Sequence, residues 1–260
     1  DLCARGAEGL VCAAALPSGA FDTLQSWSAT HAFPAAPAEE PVPDLSDADG
    51  WANDEGYYET IRFADLDGDH RADVCGRSSA GLICALSRGN GFGHARLWSP
   101  ELGDAQGWAP AAYSSTLQLG DVDGDGHADV CGRSREGLVC ALARGHRFTH
   151  LRKWSIAADF SDADSTPWAG DASFYGTLRL ADLNGDGRAD VCGRSREGLR
   201  CAFSTGRSFT RATVWMAELG DAQGWAAAPA DRVQLGDING DGRADLCARD
   251  AEGVACALAP

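Results

Sequence analysis

The 260-residue chain lacks the features that would place it in a membrane or on nucleic acid. No apolar run approaches the ~20 residues that a membrane-spanning helix requires. The chain has a single lysine, Lys153, and a formal net charge of −16, so it has no basic tract of the kind that binds nucleic acid. It also has no initiator methionine and no signal peptide, which we interpret as a processed chain or an excised segment.

Helical periodicity and a recurring catalytic arrangement are absent as well. No segment repeats apolar residues at sustained helical spacing, which favours an all-β fold. The six histidines occupy no repeated position, and none belongs to a recognisable nucleophile–base pair. We therefore predict that the chain is not an enzyme. The weaker alternative is a glycosidase built from acids in the long loops, namely Glu101, Asp104, Glu218 and Asp221.

What the chain has instead is an acidic nine-residue loop, D-x-[DN]-G-D-x-x-x-D, in four copies. One copy alone could be an Asp/Gly-rich turn, but four copies in register favour a calcium site. Side chains at positions 1, 3, 5 and 9 and the backbone carbonyl at position 7 would bind Ca²⁺. The loops are not EF-hands, because position 12 holds glycine or alanine instead of glutamate. The predicted ligands are Asp65, Asp67, Asp69, Arg71 and Asp73; Asp121, Asp123, Asp125, His127 and Asp129; Asp182, Asn184, Asp186, Arg188 and Asp190; and Asp237, Asn239, Asp241, Arg243 and Asp245.

The first of these four calcium sites is expected to be the weakest. His70 stands at position 6, where the other copies have Gly126, Gly187 and Gly242. This position is expected to need a positive φ, which glycine adopts without strain.

Ten cysteines form five pairs of identical spacing, and each pair brackets a turn. A two-residue loop would place the two cysteines of a pair directly opposite each other, whereas a left-handed glycine at Gly137 would add a bulge and shift the register by one. The even count and the spacing favour disulfides over buried free thiols, and zinc is disfavoured because no histidine recurs nearby. Disulfides indicate a secreted or cell-surface protein. The predicted pairs are Cys3 with Cys12, Cys75 with Cys84, Cys131 with Cys140, Cys192 with Cys201, and Cys247 with Cys256.

The cysteine pairs recur at steps of 72, 56, 61 and 55 residues, and each unit reads as four short antiparallel strands. This pattern predicts one β-propeller domain over residues 1–260, with five blades, in units 1–56, 57–112, 113–173, 174–229 and 230–260. A β-solenoid is the alternative. The first unit has no counterpart of the first strand and the last has none of the fourth, so we expect 18 strands and incomplete first and last blades. An Ala/Pro-rich insertion at residues 31–43 is expected to be a surface excursion.

Eight tryptophans occur as four pairs. The first member of each pair ends a fourth strand and is expected to pack between blades: Trp27, Trp98, Trp154 and Trp215. The second member lies in a long loop near Asp, Gln or Gly. It either packs in the same way or stacks on a sugar ring whose hydroxyls bond the neighbouring acids. The candidate ligand-binding residues are Trp51, Trp108, Trp168, Trp225, Asp104 and Asp221.

An arginine follows the first cysteine of every pair by two residues. We expect it to pair with an aspartate or to stack on a tryptophan rather than to bind an anionic ligand. The five are Arg5, Arg77, Arg133, Arg194 and Arg249.

These motifs resemble the FG-GAP/VCBS repeat family. The matching features are A-D-x-[DN]-G-D-G-x-A-D-[VL]-C-G-R, the following G-[LI]-x-C-A-[LF], and Gly-Phe-Gly at residues 91–93. Such repeats build propellers in integrin α heads and in a fungal propeller lectin. The resemblance implies a calcium-clipped extracellular propeller that is used for binding.

Three functions are compatible with this sequence. The favoured one is a lectin-like module whose partner is a glycan or glycoprotein. The second is a structural or adhesive protein that self-associates through its incomplete end blades. The third is the glycosidase.

Overall fold

A computed structural model describes residues 2–6, 9–27, 45, 51, 54–226, 233–249 and 253–259. The insertion expected at residues 31–43 lies outside the described residues. The chain divides into two structural units: Asp1–Ala109 with Gly145–Arg147, and Pro110–Arg144 with Phe148–Pro260.

The first unit contains two antiparallel sheets in which neighbouring strands follow chain order. The first sheet has three strands: β1 (Leu2–Gly6), β2 (Gly9–Ala13) and β3 (Gln25–Ser26). The second has four: β4 (Arg62–Ala64), β5 (Asp73–Ser78), β6 (Gly81–Ala85) and β7 (Arg96–Ser99).

The second unit contains three sheets of the same kind. Two have four strands and the last has three. The strands are β8 (Gln118–Gly120), β9 (Asp129–Ser134), β10 (Gly137–Ala141) and β11 (Arg152–Lys153); β12 (Arg179–Ala181), β13 (Asp190–Ser195), β14 (Gly198–Ala202) and β15 (Thr213–Met216); and β16 (Val233–Gly236), β17 (Asp245–Arg249) and β18 (Val254–Ala257).

The predicted all-β, β-propeller fold class is confirmed. The described residues contain 18 strands in five blade-like sheets. The first and last of these sheets have three strands, as the sequence predicts for incomplete blades.

Three single-turn helices were not expected from the sequence: α1 (Glu55–Tyr58), α2 (Ala111–Ser114) and α3 (Ala172–Tyr175). For α1 and α3 the available signal was the capping aspartate, whereas α2 begins after Pro110 without a side-chain cap. The carboxylate of Asp54 accepts the N–H of Gly56 at 2.8 Å, and that of Asp171 accepts the N–H of Ser173 at 2.8 Å. Within the described part of the chain, no helix has the length and apolar character needed to cross a membrane.

Every cysteine pair forms a disulfide across a hairpin. Cys131 lies directly opposite Cys140, with their Cα atoms 4.1 Å apart. Gly137 has a positive φ of 120° but pairs in register with Ser134, so the hairpin has no bulge and its register is not shifted.

The other four predicted disulfides are confirmed with the same pairing, and none of the described cysteines is free. In each of them the two cysteines are direct cross-strand neighbours. Burial differs from sheet to sheet: Cys12 and Cys201 are buried, whereas Cys256 on the last strand is exposed. The four bonds join Cys3 to Cys12, Cys75 to Cys84, Cys192 to Cys201, and Cys247 to Cys256.

Aromatic side chains pack between neighbouring sheets within each unit. In the first unit, Trp27 at the end of β3 contacts Phe92 of the second sheet, with ring centroids 5.6 Å apart. In the second unit, Trp154 contacts Phe209 of the following sheet at 5.7 Å. In both cases the phenylalanine N–H donates to the tryptophan carbonyl. These contacts agree with the packing role predicted for the first tryptophan of each pair.

A second layer of packing depends on glycine in the second strand of a sheet. The ring of Trp168 is fully buried and lies over Gly193 of β13, where an added Cβ would be 2.9 Å from both Trp168 Cη2 and Leu178 Cδ2. Gly236 of β16 is a strand glycine with open space around it. A side chain at position 193 would therefore collide with its neighbours, whereas position 236 has room for one.

Replacing Gly193 by alanine should lower the free energy of unfolding by about 1–3 kcal/mol, because a close-packed core gives way only at the cost of strain. The matched change Gly236→Ala should be neutral or slightly stabilising, since alanine restricts the unfolded chain more than glycine does. Urea unfolding of both variants measures the difference. Equal effects would show that the contact between tryptophan and glycine does not constrain the core.

Candidate metal loops and ligand site

The first aspartate of each acidic loop fixes the loop's shape. In the second copy, Asp121 Oδ1 accepts the N–H groups of Gly124 at 2.6 Å and Asp125 at 3.2 Å, while Oδ2 accepts that of Gly126 at 2.8 Å. Asp65, Asp182 and Asp237 accept the corresponding bonds in the other copies. All four loops therefore curl in the same way, around the carboxylate of their first aspartate.

The last aspartate of each loop joins two separate backbone segments. Asp129 Oδ2 accepts the N–H of Val122 at 3.0 Å, and Oδ1 accepts the N–H of Ala143, just after β10, at 2.7 Å. Asp73, Asp190 and Asp245 make the equivalent pairs of bonds. All four carboxylates are fully buried. Each of them thus connects the loop before the second strand to the chain that follows the third strand.

Burial raises the pKa of the carboxylates of Asp73, Asp129 and Asp190. Loss of water raises the pKa of Asp129 to about 7 and those of Asp73 and Asp190 to about 6, against an ordinary value of 3.8. The two backbone N–H bonds oppose the shift but do not cancel it, and the neighbouring loop carboxylates reinforce it.

Three carboxylates converge in each of the first two loops. One oxygen each from Asp65, Asp67 and Asp73 lies within 4.8 Å of the others, and Asp121, Asp123 and Asp129 form the same arrangement. In the third and fourth loops the position-3 residue is Asn184 or Asn239, and its side-chain N–H donates to the position-5 aspartate at 3.1 Å and 3.0 Å. The donor sets are oxygen-rich and of the type that Ca²⁺ prefers.

Arginines pair with the position-5 carboxylates of the first three loops. Arg144, which follows β10, donates to Asp125 at 2.6 Å and to Asp123 at 2.8 Å. Arg71 pairs with Asp69, and Arg188 pairs with Asp186 at 2.6 Å. Residues at position 7 also donate their backbone N–H to the position-5 carboxylate: Arg71, His127, Arg188 and Arg243.

His70 adopts the backbone conformation that the sequence predicts for position 6. Its φ is 67°, close to the values of 88°, 81° and 86° at Gly126, Gly187 and Gly242. Its N–H donates to Asp65 Oδ2 at 2.7 Å, as the glycine does in the other loops. The side chain therefore strains the backbone without changing the loop's hydrogen bonds.

Successive loops of the second unit are linked directly. The carbonyl of Asp121 accepts the N–H of Ala189 in the next loop, and the carbonyl of Asp182 accepts that of Ala244, both at 2.6 Å. The stem of Arg188 lies over Gly124 of the preceding loop. A change in the backbone of one loop is therefore expected to alter the position of the next loop.

The loop tryptophans do not form an exposed sugar-stacking surface. Trp51, Trp108 and Trp168 are 1%, 6% and 0% exposed, so their ring faces are covered by protein. Trp225 is partly buried and packs against the core of its sheet. The ligand-binding prediction is therefore incompatible with the burial of the first three, which act as packing residues.

Asp104 and Asp221 bind buried arginines. Arg77 Nη1 donates to Asp104 at 2.6 Å, and Arg194 Nη1 donates to Asp221 at 2.7 Å. Arg133 pairs with Asp162 in the same way. This confirms the expected arginine–aspartate pairing for these three arginines.

The same three arginines stack on aromatic rings other than tryptophan. Their guanidinium Cζ atoms lie 4.7–5.4 Å from the ring centroids of Tyr57, Tyr113 and Phe174. Arg249 is exposed.

A repeated threonine supports each buried arginine and was missed in the sequence. Thr177 Oγ1 accepts the backbone N–H of Arg194 at 2.7 Å and donates to the carbonyl of Phe174 at 2.6 Å. Thr60 and Thr116 do the same for Arg77 and Arg133. The constant spacing of 17 residues between threonine and arginine was the available signal.

An open cavity of about 290 Å³, lined by both polar and apolar side chains, lies within the first unit. Its lining combines the first acidic loop, the turn after β6, strand β7 and one turn residue, His146. The charged and aromatic lining residues are Asp67, Asp69, Arg71, Arg88, His94, Arg96, Trp98 and His146. Of the cavity's cationic residues, Arg71 was a sequence candidate, as a calcium ligand, whereas Arg88, His94, Arg96 and His146 were not candidates for any ligand.

Replacing Asp221 by asparagine should destabilise the fold by about 1–3 kcal/mol, because it removes the charge that compensates the buried guanidinium of Arg194. The control Asp22→Asn changes an exposed carboxylate that bonds only to neighbouring Thr23, and it should be neutral. Urea unfolding compares the two. If Asp221→Asn left stability unchanged, the structural assignment of this ion pair would be wrong.

Comparisons with known proteins agree with this architecture. A family profile described as FG-GAP-like repeat matches residues 121–193 and 182–248. No curated protein matches the chain.

Several solved structures are similar to this chain. One is an Agrocybe aegerita lectin that specifically recognises non-reducing terminal N-acetylglucosamine; the match has a TM-score of 0.71 and 23% identity and covers 98% of this chain but 58% of the lectin's. This chain thus spans less than two thirds of the lectin's length. Another is the Photorhabdus luminescens Tc holotoxin pore, with a TM-score of 0.48 and 18% identity over 79% of this chain and 9% of that one. The lectin shares the fold, and the chain carries FG-GAP-like repeats over residues 121–248, as its motifs predict.

Proposed function

We propose that this chain is an extracellular, calcium-bound module that binds carbohydrate. Three findings support the proposal: the fold similarity to a lectin, the five hairpin disulfides, and the cavity of the first unit with its charged lining residues. Disulfides are typical of proteins outside the cytoplasm. The cavity is the observation that carries the binding role, since the loop tryptophans are buried.

The acidic loops are the proposed calcium sites. The converging carboxylates of Asp65, Asp67 and Asp73, and of Asp121, Asp123 and Asp129, fit a hard cation that takes oxygen ligands. The third and fourth loops offer the same curled backbone, with an asparagine oxygen in place of one carboxylate oxygen. A bound ion would supply positive charge against the loop carboxylates. The position-7 carbonyls and the weaker first site stay predictions.

Proposed carbohydrate binding rests on the chemistry of the cavity. Arginine and aspartate side chains there offer both donors and acceptors for sugar hydroxyls. Ligand pockets commonly measure about 300–1,000 Å³, and a cavity at the lower end of this range suits one sugar unit. One wall of this cavity is the first acidic loop, so calcium would brace the site. Self-association through the end blades stays a prediction, as does the absence of enzymatic activity.

A glycan array with calcium-loaded protein, repeated after chelation, tests this function. We expect binding to a defined group of glycans that weakens when calcium is removed. Absence of binding to any glycan in both states would contradict the proposal.

Calcium binding should release protons at mildly acidic pH. The pKa of Asp129 is raised by burial to about 7, so its stabilising contribution to the calcium-free fold is complete below about pH 4 and is lost as the pH rises through about 7. Ca²⁺ requires the ionised carboxylate, and calcium affinity should therefore fall as the pH drops below about 7. Calorimetry at pH 6 in buffers of different ionisation enthalpy measures the released protons. The release should diminish at pH 8 and be smaller in Asp129→Asn. Heats at pH 6 that do not depend on the buffer would contradict the expectation.

Arg144 should weaken calcium binding at the second loop, because its guanidinium occupies Asp123 and Asp125. Arg144→Gln should raise the calcium affinity of one site roughly two- to fivefold, the range for a partly exposed ion pair. The exposed neighbour Arg147 provides the control, Arg147→Gln. Superimposable calcium titrations of the two variants would show that Arg144 does not compete with the ion.

A further inference from the structure

The cavity of the first unit has an unusual charge for this protein. The chain as a whole carries a formal net charge of −16, which disfavours anionic ligands at most of its surface. The cavity lining nevertheless contains Arg71, Arg88 and Arg96 against Asp67 and Asp69. The arginines therefore outnumber the acids in this lining.

The acidic residues of the lining belong to the first acidic loop. Asp69 pairs with Arg71, and its Oδ1 also accepts the N–H of Arg71. Asp67 belongs to the converging carboxylates of that loop. A calcium ion on the loop would reduce the negative charge of these acids. Arg88 and Arg96 are the two lining arginines that lie outside the loop, and both are exposed.

Three residues in and just before β7 reach the cavity. His94, Arg96 and Trp98 all line it, and the pairing of β6 with β7 is irregular opposite Trp98, between Leu82 and Ile83. Trp98 is buried at 2% exposure and contacts His146 edge-to-face, with ring centroids 6.0 Å apart. The tryptophan therefore forms the floor, while Arg96 and the two imidazoles are exposed to a ligand.

A glycine positions the second arginine. Arg88 lies across Gly93, where an added Cβ would be 3.2 Å from its Nε and 3.3 Å from its Nη2. Gly93 thus leaves the space into which the guanidinium folds. A guanidinium presents paired N–H donors that match the oxygens of a carboxylate or a sulfate.

We propose that this cavity binds an acidic sugar, one that carries a carboxylate or a sulfate group, with Arg88 and Arg96 as the residues that recognise the anion. The inference rests on the proposed carbohydrate-binding function and specifies its ligand class. The same guanidinium donors recognise a carboxylate and a sulfate, so the experiment includes one sugar of each kind.

Calorimetry on the calcium-loaded chain with matched ligands tests the proposal. The pairs are glucose with glucuronic acid, and N-acetylglucosamine with its 6-sulfate, with inorganic sulfate as the anion alone. We expect at least one acidic sugar to bind roughly tenfold or more tightly than its neutral partner, and more tightly than inorganic sulfate. Arg96→Gln and Arg88→Gln should each remove that preference. The control Arg152→Gln, an exposed change on β11 away from the cavity lining, should keep it.

The remaining outcomes are distinguishable. Equal binding of acidic and neutral sugars would overturn the acidic-sugar proposal and leave the carbohydrate function intact. Equal binding of inorganic sulfate and the sulfated sugar would also overturn it, because the site would then recognise an anion without a sugar. An acid preference that survives both cavity substitutions would overturn the assigned location. Failure of every sugar in both this titration and the glycan array would overturn the function as well.

Discussion

The interaction on which the rest of the structure depends is a buried carboxylate that accepts two backbone N–H groups. Asp129 binds the amide of Val122, seven residues before it, and that of Ala143, fourteen residues after it. A fully buried carboxylate without these donors would be costly, so the two segments are held where they can supply them. Four sheets repeat the arrangement. The disulfide then fixes the hairpin that the carboxylate has already joined to its loop.

The same carboxylates connect fold and function. Their loops bond one another through backbone groups in the second unit, and the first loop forms one wall of the cavity in the first unit. A cation on these loops would therefore act on the scaffold and, at the first loop, on the cavity wall. Arginines on the position-5 carboxylates moderate this effect, because they occupy part of the same acidic surface.

Local spacing was sufficient to predict the acidic loops, the hairpins, the disulfides and the incomplete end sheets, because each depends on residues close together in the chain. The burial of Trp168 was not predictable in this way. Its loop resembles an exposed binding loop, and it is covered only because Gly193 in a later strand has no side chain. Two further features also depend on residues that are distant in the chain. Arg144, the partner of Asp125, lies nineteen residues after it. The cavity is formed by segments that share no repeated motif.

Amide hydrogen exchange at Val122 and Ala143, with and without calcium, tests the central claim most directly. If the carboxylate of Asp129 joins these two segments, both amides should exchange only through large-scale opening, and calcium should slow them further together. Exchange of either amide as fast as that of exposed turn residues, and unchanged by calcium, would contradict the claim that this carboxylate holds the repeat together.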